Sequence, residues 1–400
     1  MNRILENTFQ PSARHSFRVP IAKSPYNRHR ILCHLAGVPM PEEESTLPED
    51  CQILNDALIN KTESVYLGQG GTSLRFYLAT RLLNPKPVSI EADEQLKRRP
   101  ITPLIEALRK LGLEISDNWP LKVKPIHPPA QGIQIDASKS SQFISALALV
   151  APFLKNGLDI EFVRPPASES FLQLTLSILK EWNVKFEYHP TALRIKAGFT
   201  PPQRISLTGD WSSASYLILG AALRNEAICI ANLNLHSKQP DSALQNWLPF
   251  LGISIEEHPE GLIFTPTTPQ ASQLEMDFST CPDLAPTLCV WNLMLGNTID
   301  FKGLGTLNDK ESKRLNALVS LLKDLKLNPI ATMDTLFCDT KNAQFPSFYV
   351  AQSHGDHRLV MAFNDLSLRI PEFYLSEIHS VKKSFPDFWN QMSCWKVISK

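Results

Sequence analysis

A chain of 400 residues is too long for one ordinary hydrophobic core, so two or more domains are expected. Hydrophobic residues make up 43% and charged residues 20%, the balance of a soluble globular protein. Forty Lys and Arg against forty Asp and Glu leave no broad positive field, which excludes non-specific nucleic-acid binding and confines any cationic site to a local cluster.

Residues 1–17 hold no apolar core, so no signal peptide is expected, and no apolar run reaches the roughly 18 residues of a membrane span. A cytoplasmic protein without membrane contact is the expectation. Seven widely spaced cysteines form no C-x-x-C pair, which argues against a metal site or a disulfide framework. Residues 17–22 read as a short strand, 23–28 as a polar turn and 29–36 as a helix. An acidic, proline-bearing loop over 40–50 leads to a short helix over 51–59. Leu67-Gly68-Gln69-Gly70-Gly71-Thr72-Ser73 follows, then an apolar helix over 74–83. Three glycines in four positions let the backbone bend tightly, and the helix start offers free N–H groups to an anion. No Gly-Lys-Ser/Thr follows, so this is not a Walker loop.

Beyond this point a repeat emerges. Amphipathic helices over 100–111, 171–182, 243–251 and 313–327 each end in a Gly or Asn stop and run into a strand. The stops, Gly112, Asn183, Gly252 and Asn328, recur at a step of roughly 70 residues, as expected of one copied supersecondary unit. A second set of helices, over 141–154, 212–223, 283–295 and 356–368, is apolar nearly all round and therefore central. Six units fit the length if the first and last are partial.

The central helices open on polar clusters: Ser138-Lys139-Ser140-Ser141-Gln142, Asp210-Trp211-Ser212-Ser213, Pro282-Asp283 and Asp356-His357-Arg358. Capping accounts for one Ser or Asp at each; a surplus of donors suits a hydroxyl-rich or phosphorylated ligand. Lys23, Arg28, Arg75, Arg98, Arg99, Lys310, Arg314, Arg358, Lys382 and Lys383 lie at or near predicted strand–helix boundaries. Lys310 and Arg314, four apart, would share a helix face, and Asn308 with Glu311 fits a capping box.

Nine motifs then occur in one order. They are Lys23-Ser24-x-x-Asn27-Arg28, Gly71-Thr72-x-x-Arg75, Arg99-Pro100, Ser140-Ser141-Gln142-Phe143, Gly209-Asp210-x-Ser212-Ser213-Ala214-Ser215-Tyr216, Pro282-Asp283, Lys310-Glu311-Ser312-x-Arg314-Leu315, Asp356-His357-Arg358 and Lys383-x-Phe385-Pro386-Asp387. In these the chain resembles the 5-enolpyruvylshikimate-3-phosphate synthases of the enolpyruvyl transferase family. The resemblance implies an α/β fold of two domains, residues 21–206 and 1–20 plus 207–400. It implies an inside-out α/β barrel of repeated βαβαββ units with the active site in the cleft between the domains. One unit is expected to be truncated near residues 58–67, which are fewer than the family's.

The same resemblance implies that phosphoenolpyruvate is held by Lys23, Gly71, Arg99, Arg314, Arg358 and Lys383. Shikimate 3-phosphate would be held by Lys23, Ser24, Arg28, Ser140, Ser141, Gln142, Ser168, Asp283 and Lys310. The implied reaction adds the 5-hydroxyl to C2 of phosphoenolpyruvate and then expels phosphate. Asp283 would take the hydroxyl proton, and Glu311 with Lys23 would serve the methylene carbon. No metal or organic cofactor is expected, and a monomer acting on small molecules is. Departures from the family are Gln69, Phe76, Ser168-Glu169-Ser170-Phe171, Thr306 and Lys313. The sister enzyme acting on UDP-N-acetylglucosamine needs a loop cysteine shortly before Arg99-Pro100, and residues 93–98 have none. A non-catalytic homologue is the other alternative; the presence of Lys23, Asp283 and Glu311 together speaks against it.

Overall fold

In a computed structural model of the protein, residues 15–41, 46–60, 62–126, 128, 130–138, 140–269 and 275–395 are described. Lys139 of the Ser-rich junction, residues 42–45 of the acidic loop and residues 1–14 lie outside them. The described residues divide into two compact units, one running from Lys23 to Leu207 and the other formed by the segments before and after it.

Within the Lys23–Leu207 unit, two four-stranded sheets share one topology. In the first, Val88–Glu91 pairs parallel with Ser64–Tyr66 and antiparallel with Leu121–Pro125, which takes Leu113–Ile115 on its far side. In the second, Leu158–Arg164 pairs parallel with Gly132–Asp136 and antiparallel with Ala192–Ile195, flanked by Phe186–His189. Each parallel pair is joined through a buried helix, Gly71–Thr80 or Gln142–Val150. Each second strand returns through an amphipathic helix, Thr102–Lys110 or Glu169–Glu181. That is the expected βαβαββ order. The helices Lys23–Ala36 and Glu49–Ile59 come first, with no strand between them among the described residues.

The other unit repeats the pattern. His15–Phe17, Ile228–Ile230, Gly261–Pro266 and Ile253–His258 form one four-stranded sheet. Glu275–Asp277, Thr298–Lys302, Leu336–Asp339 and Ile330–Ala331 form another. Phe348–Ala351 and Glu372–Leu375 make a parallel pair only. The helices Trp211–Leu223, Ala285–Leu295 and His357–Phe363 are buried along nearly their whole length, as their continuous apolar character requires. Where the chain leaves and re-enters this unit, Ile21 forms an antiparallel bridge with Gly209, and the Asn232 side chain brackets the Val19 backbone with bonds of 3.1 and 2.7 Å.

Several local expectations are corrected. The strand over 17–22 ends at Phe17, because Pro20 has no N–H to extend a ladder. The polar turn over 23–28 is the start of helix Lys23–Ala36; Pro25 sits in its first turn, where a missing N–H costs nothing. The helix over 243–251 is a 3₁₀ turn, Pro240–Ala243, followed by only Leu244–Trp247. The fourth stop is Lys326, not Asn328. Lys326 takes φ 62°, its N–H reaches the Lys323 carbonyl at 3.0 Å and the Leu327 N–H reaches Leu322 at 3.0 Å, a Schellman pattern. Pro329 holds Asn328 out of the helical regions.

A lysine in the left-handed region carries strain that glycine would not. Lys326→Gly should therefore stabilise the protein by about 0.5–1 kcal/mol, the left-handed cost less glycine's extra chain entropy. The urea midpoint should rise, whereas Asn328→Gly should bring no such gain.

Candidate active site

In the Lys23–Leu207 unit the glycine turn is the organising feature. Helix Gly71–Thr80 starts without a side-chain cap, so its first N–H groups point outward. A Cβ on Gly71 would lie 2.5 Å from an Arg75 guanidinium nitrogen and 2.7 Å from one of Arg99, so only glycine lets both arginines close on this backbone. Arg75 donates to the Gln142 side-chain oxygen and to the Pro100 carbonyl, each at 2.6 Å. Those bonds tie the glycine turn to the Ser140–Ser141–Gln142 junction. Ser141 N–H in turn donates to the Ala167 carbonyl at 3.1 Å, bringing Ser168 alongside. Ser168 holds φ 53°, a strained conformation for a serine.

Lys23 pairs with Asp50 at 2.8 Å, and an Asp50 oxygen lies 3.1 Å from where a Gly70 Cβ would be. Sequence reasoning missed Asp50, which reads there as an ordinary acidic first turn of a helix. Arg28 is 1% exposed and donates to the Ser24 carbonyl (2.8 Å), the Phe171 carbonyl (2.9 Å) and the Thr175 hydroxyl (2.7 Å). Its guanidinium also lies 5.3 Å from the Phe76 ring centre, which gives that unexpected Phe a function in packing. Burial pulls the Arg28 guanidinium down to about 9.

In the other unit Asp283, Lys310, Glu311, Arg314, Arg358 and Lys383 converge. Arg314 donates from Nε to Asp356 Oδ2 at 2.7 Å, from one terminal nitrogen to Asp283 at 2.7 Å, and from the other to Glu311 and to Asp356 Oδ1. Asp283 also meets Arg358 at 2.8 Å and Lys310 at 3.7 Å. Lys383 pairs with Glu311 at 3.0 Å. Asp356 accepts from the Arg358 N–H at 3.0 Å as the helix cap and from the Ser312 hydroxyl at 3.0 Å. Sequence reasoning placed Asp356 in a motif but missed its pairing with Arg314. Burial, the largest single influence on Asp283, raises its proton affinity. Arg358, Lys310 and Arg314 together outweigh it and hold this carboxyl well below the usual range. Burial disfavours the Arg314 charge, but Asp356, Glu311 and Asp283 reverse that and raise its affinity for the proton.

Two expectations fail here. The helix begins at Arg314, so Lys310 does not share its face. Asn308 bonds Asn316 at 3.1 Å and Glu311 pairs with cations, so no capping box forms. Glu311, Asp356 and His357 offer ligand atoms within 4.8 Å of one another, yet Arg314 already takes both carboxylates, so this group works as an ion-pair network. Six of the seven cysteines are buried and all are free; burial pushes Cys33 up to about 11 and Cys281 up to about 12, away from thiolate chemistry.

The profile of the family described as EPSP synthase (3-phosphoshikimate 1-carboxyvinyltransferase) matches residues 37–392. A 3-phosphoshikimate 1-carboxyvinyltransferase of Bacteroides fragilis is 30% identical over 387 residues, 94% of each chain. One of Dehalococcoides mccartyi is 30% identical over 365 residues, 90% of this chain and 84% of its own. Among solved structures, the EPSP synthase of Acinetobacter baumannii superposes with a TM-score of 0.73 at 18% identity over 96% of both chains. The enolpyruvyl transferase NikO of Streptomyces tendae superposes with a TM-score of 0.68 at 13% identity. The fold is thus that of the enolpyruvyl transferases. The chain belongs to the EPSP synthase family.

Asp356 supports a guanidinium that is 1% exposed. Asp356→Ala should destabilise the protein by about 3–5 kcal/mol, the usual effect of stranding a buried ion. Chemical denaturation checks this.

Proposed function

We propose that this chain transfers the enolpyruvyl group of phosphoenolpyruvate to the 5-hydroxyl of shikimate 3-phosphate, the reaction of its family, releasing phosphate. The observation that carries the residue roles is the Asp283 cluster: one carboxylate held by Arg314, Arg358 and Lys310. Planar guanidinium groups suit phosphate and carboxylate ligands. Phosphoenolpyruvate is held by Arg314, Arg358, Lys383, Lys23, Arg99 and the Gly71 N–H. Shikimate 3-phosphate is held by Ser24, Ser140, Ser141, Gln142, Ser168, Lys23, Lys310, Asp283 and Arg28.

Anions arriving at Arg358 and Arg314 compete with Asp283 for those guanidiniums. As they weaken its stabilisation, the carboxylate becomes a stronger base and takes the proton of the attacking hydroxyl. The hydroxyl oxygen bonds to C2 while C3 gains a proton from Glu311, assisted by Lys23. Elimination then returns the C3 proton to Glu311 and expels phosphate from the tetrahedral intermediate, and the phosphate carries away the proton that Asp283 took from the hydroxyl. The protein acts as a monomer without a metal or organic cofactor.

A phosphate-release assay with phosphoenolpyruvate should give turnover with shikimate 3-phosphate and none with UDP-N-acetylglucosamine. Arg358→Ala should weaken phosphoenolpyruvate binding by about 2–5 kcal/mol, as for a desolvated charge pair. Asp283→Ala should chiefly lower kcat, by roughly 10² to 10⁴. Glu311→Gln should lower kcat by roughly 10² or more, and, since it takes one of three carboxylates from buried Arg314, it should lower the melting temperature as well. Near-normal turnover in that variant would move the proton transfer to Lys23.

A further inference from the structure

A cavity of about 1340 Å³ opens in the Lys23–Leu207 unit, and the proposed reaction makes no use of it. Three helices end on it: His34 lines it from Lys23–Ala36, Leu58 from Glu49–Ile59 and Tyr77 from Gly71–Thr80. These are the C-terminal ends. Lys23, Arg28 and Gly71 stand towards the opposite ends, and helix Gly71–Thr80 puts roughly 15 Å between Gly71 and Arg81. The strands Val88–Glu91 and Leu121–Pro125 bring Ser89 and Lys122 to the same cavity.

Arg81, in the 3₁₀ turn Arg81–Leu83, lines the cavity and is 5% exposed. One of its terminal nitrogens donates to the Lys86 carbonyl, and its guanidinium lies 5.8 Å from the Tyr77 ring centre. Its Nε is buried without a hydrogen-bond partner, and no carboxylate pairs with it, among the described residues. A carbonyl and a ring leave a buried charge uncompensated, and burial weakens its hold on the proton. An anion in the cavity relieves that cost. The neighbouring charges favour the same sign. Lys124 pairs with Glu114 at 3.0 Å, which leaves Arg81, Lys86 and Lys122 against Glu63. Helix C-termini oppose an anion with about half a negative charge each, but that effect fades within one turn. Burial, then the charges of Arg30 and Arg81, pull the His34 imidazole below its ordinary value, so it stays neutral at pH 7.

The wall between these charges is apolar, with Leu58, Tyr77, Val123 and Phe153 in it. We propose that this cavity is a second ligand site, taking a small organic anion in which a carboxylate is joined to an aromatic ring. The carboxylate meets Arg81, whose planar fork suits it, and its single charge matches the one uncompensated guanidinium. The ring lies against Tyr77 and Phe153. Lys86 and Lys122, both exposed, draw the anion in from solvent. None of this depends on the function proposed for the chain.

The test is a ligand-observed NMR titration of the whole chain with phenylacetate, with acetate as the charge alone and benzyl alcohol as the ring alone. Phenylacetate should bind with a Kd on the order of 1 mM, as for a ligand of about ten non-hydrogen atoms, and each control about 10-fold more weakly or worse. Binding should persist in saturating phosphoenolpyruvate and shikimate 3-phosphate, because the cations proposed to hold them are elsewhere. Arg81→Gln should weaken it about 10-fold or more, as for the loss of a desolvated charge pair. Ser89→Trp leaves Arg81 in place, is a substitution that a strand accepts, and should abolish binding by filling the cavity. No binding of phenylacetate, its displacement by phosphoenolpyruvate, or a control that binds as tightly overturns the proposal. So does unchanged affinity in a folded Arg81→Gln protein. If Arg81→Gln does not fold, unchanged affinity in Ser89→Trp overturns it instead. Failure of the phosphate-release assay brings down the reaction and leaves this site standing.

Discussion

A buried guanidinium sets the terms for the unit that contains it. Arg314 is almost wholly inaccessible, and a lone charge in that position would cost several kcal/mol. Three carboxylates make it tolerable, and each arrives on a different segment: Asp283 ahead of one central helix, Glu311 in the loop before Arg314, and Asp356 capping another central helix. Satisfying one ion therefore fixes three loops at once. The cluster is not neutral, however. Arg314, Arg358, Lys310 and Lys383 stand against Asp283, Glu311 and Asp356. The surplus is positive, and a positive surplus in a partly desolvated place attracts phosphate and carboxylate groups.

The repeated unit explains why such a cluster can form. Each βαβαββ copy places a buried helix between two parallel strands, so its N-terminus emerges at the end of the sheet beside the strand it has just left. Copies laid side by side bring several of these ends together, each with backbone N–H groups to spare. The first copy in the Lys23–Leu207 unit shows two helices and no strand among the described residues. Lys23 and Arg28 are on the first of these helices.

The fold was largely legible because it rests on local signals that recur: apolar central helices, amphipathic outer ones and left-handed stops. Gly112, Asn183 and Gly252 adopt positive φ as read, since Gly and Asn tolerate it. Lys326 was not legible, because nothing in a lysine announces that conformation; the hydrogen bonds of its neighbours impose it. The charged residues of the site could be named from motifs, but their partners could not. The Arg314–Asp356 pair spans 42 positions and Lys23–Asp50 spans 27, distances over which sequence spacing carries no geometry.

The two units solve the same problem of burying arginine in opposite ways, and the contrast bears on what each can bind. Arg28 is held by two carbonyls and a hydroxyl, all neutral acceptors. Such partners satisfy its donors but leave its charge uncompensated, which is why burial lowers its proton affinity. Arg314 is held by carboxylates, and its affinity rises instead. An arginine in the first condition gains by meeting any anion, because the incoming charge relieves a cost already present in the protein. An arginine in the second gains only if the ligand outcompetes a carboxylate that is already in place. The first arrangement suits firm holding of a phosphate that does not react. The second suits a site where charge must change hands during the reaction, with each carboxylate displaced from a cation becoming a better base as it is released.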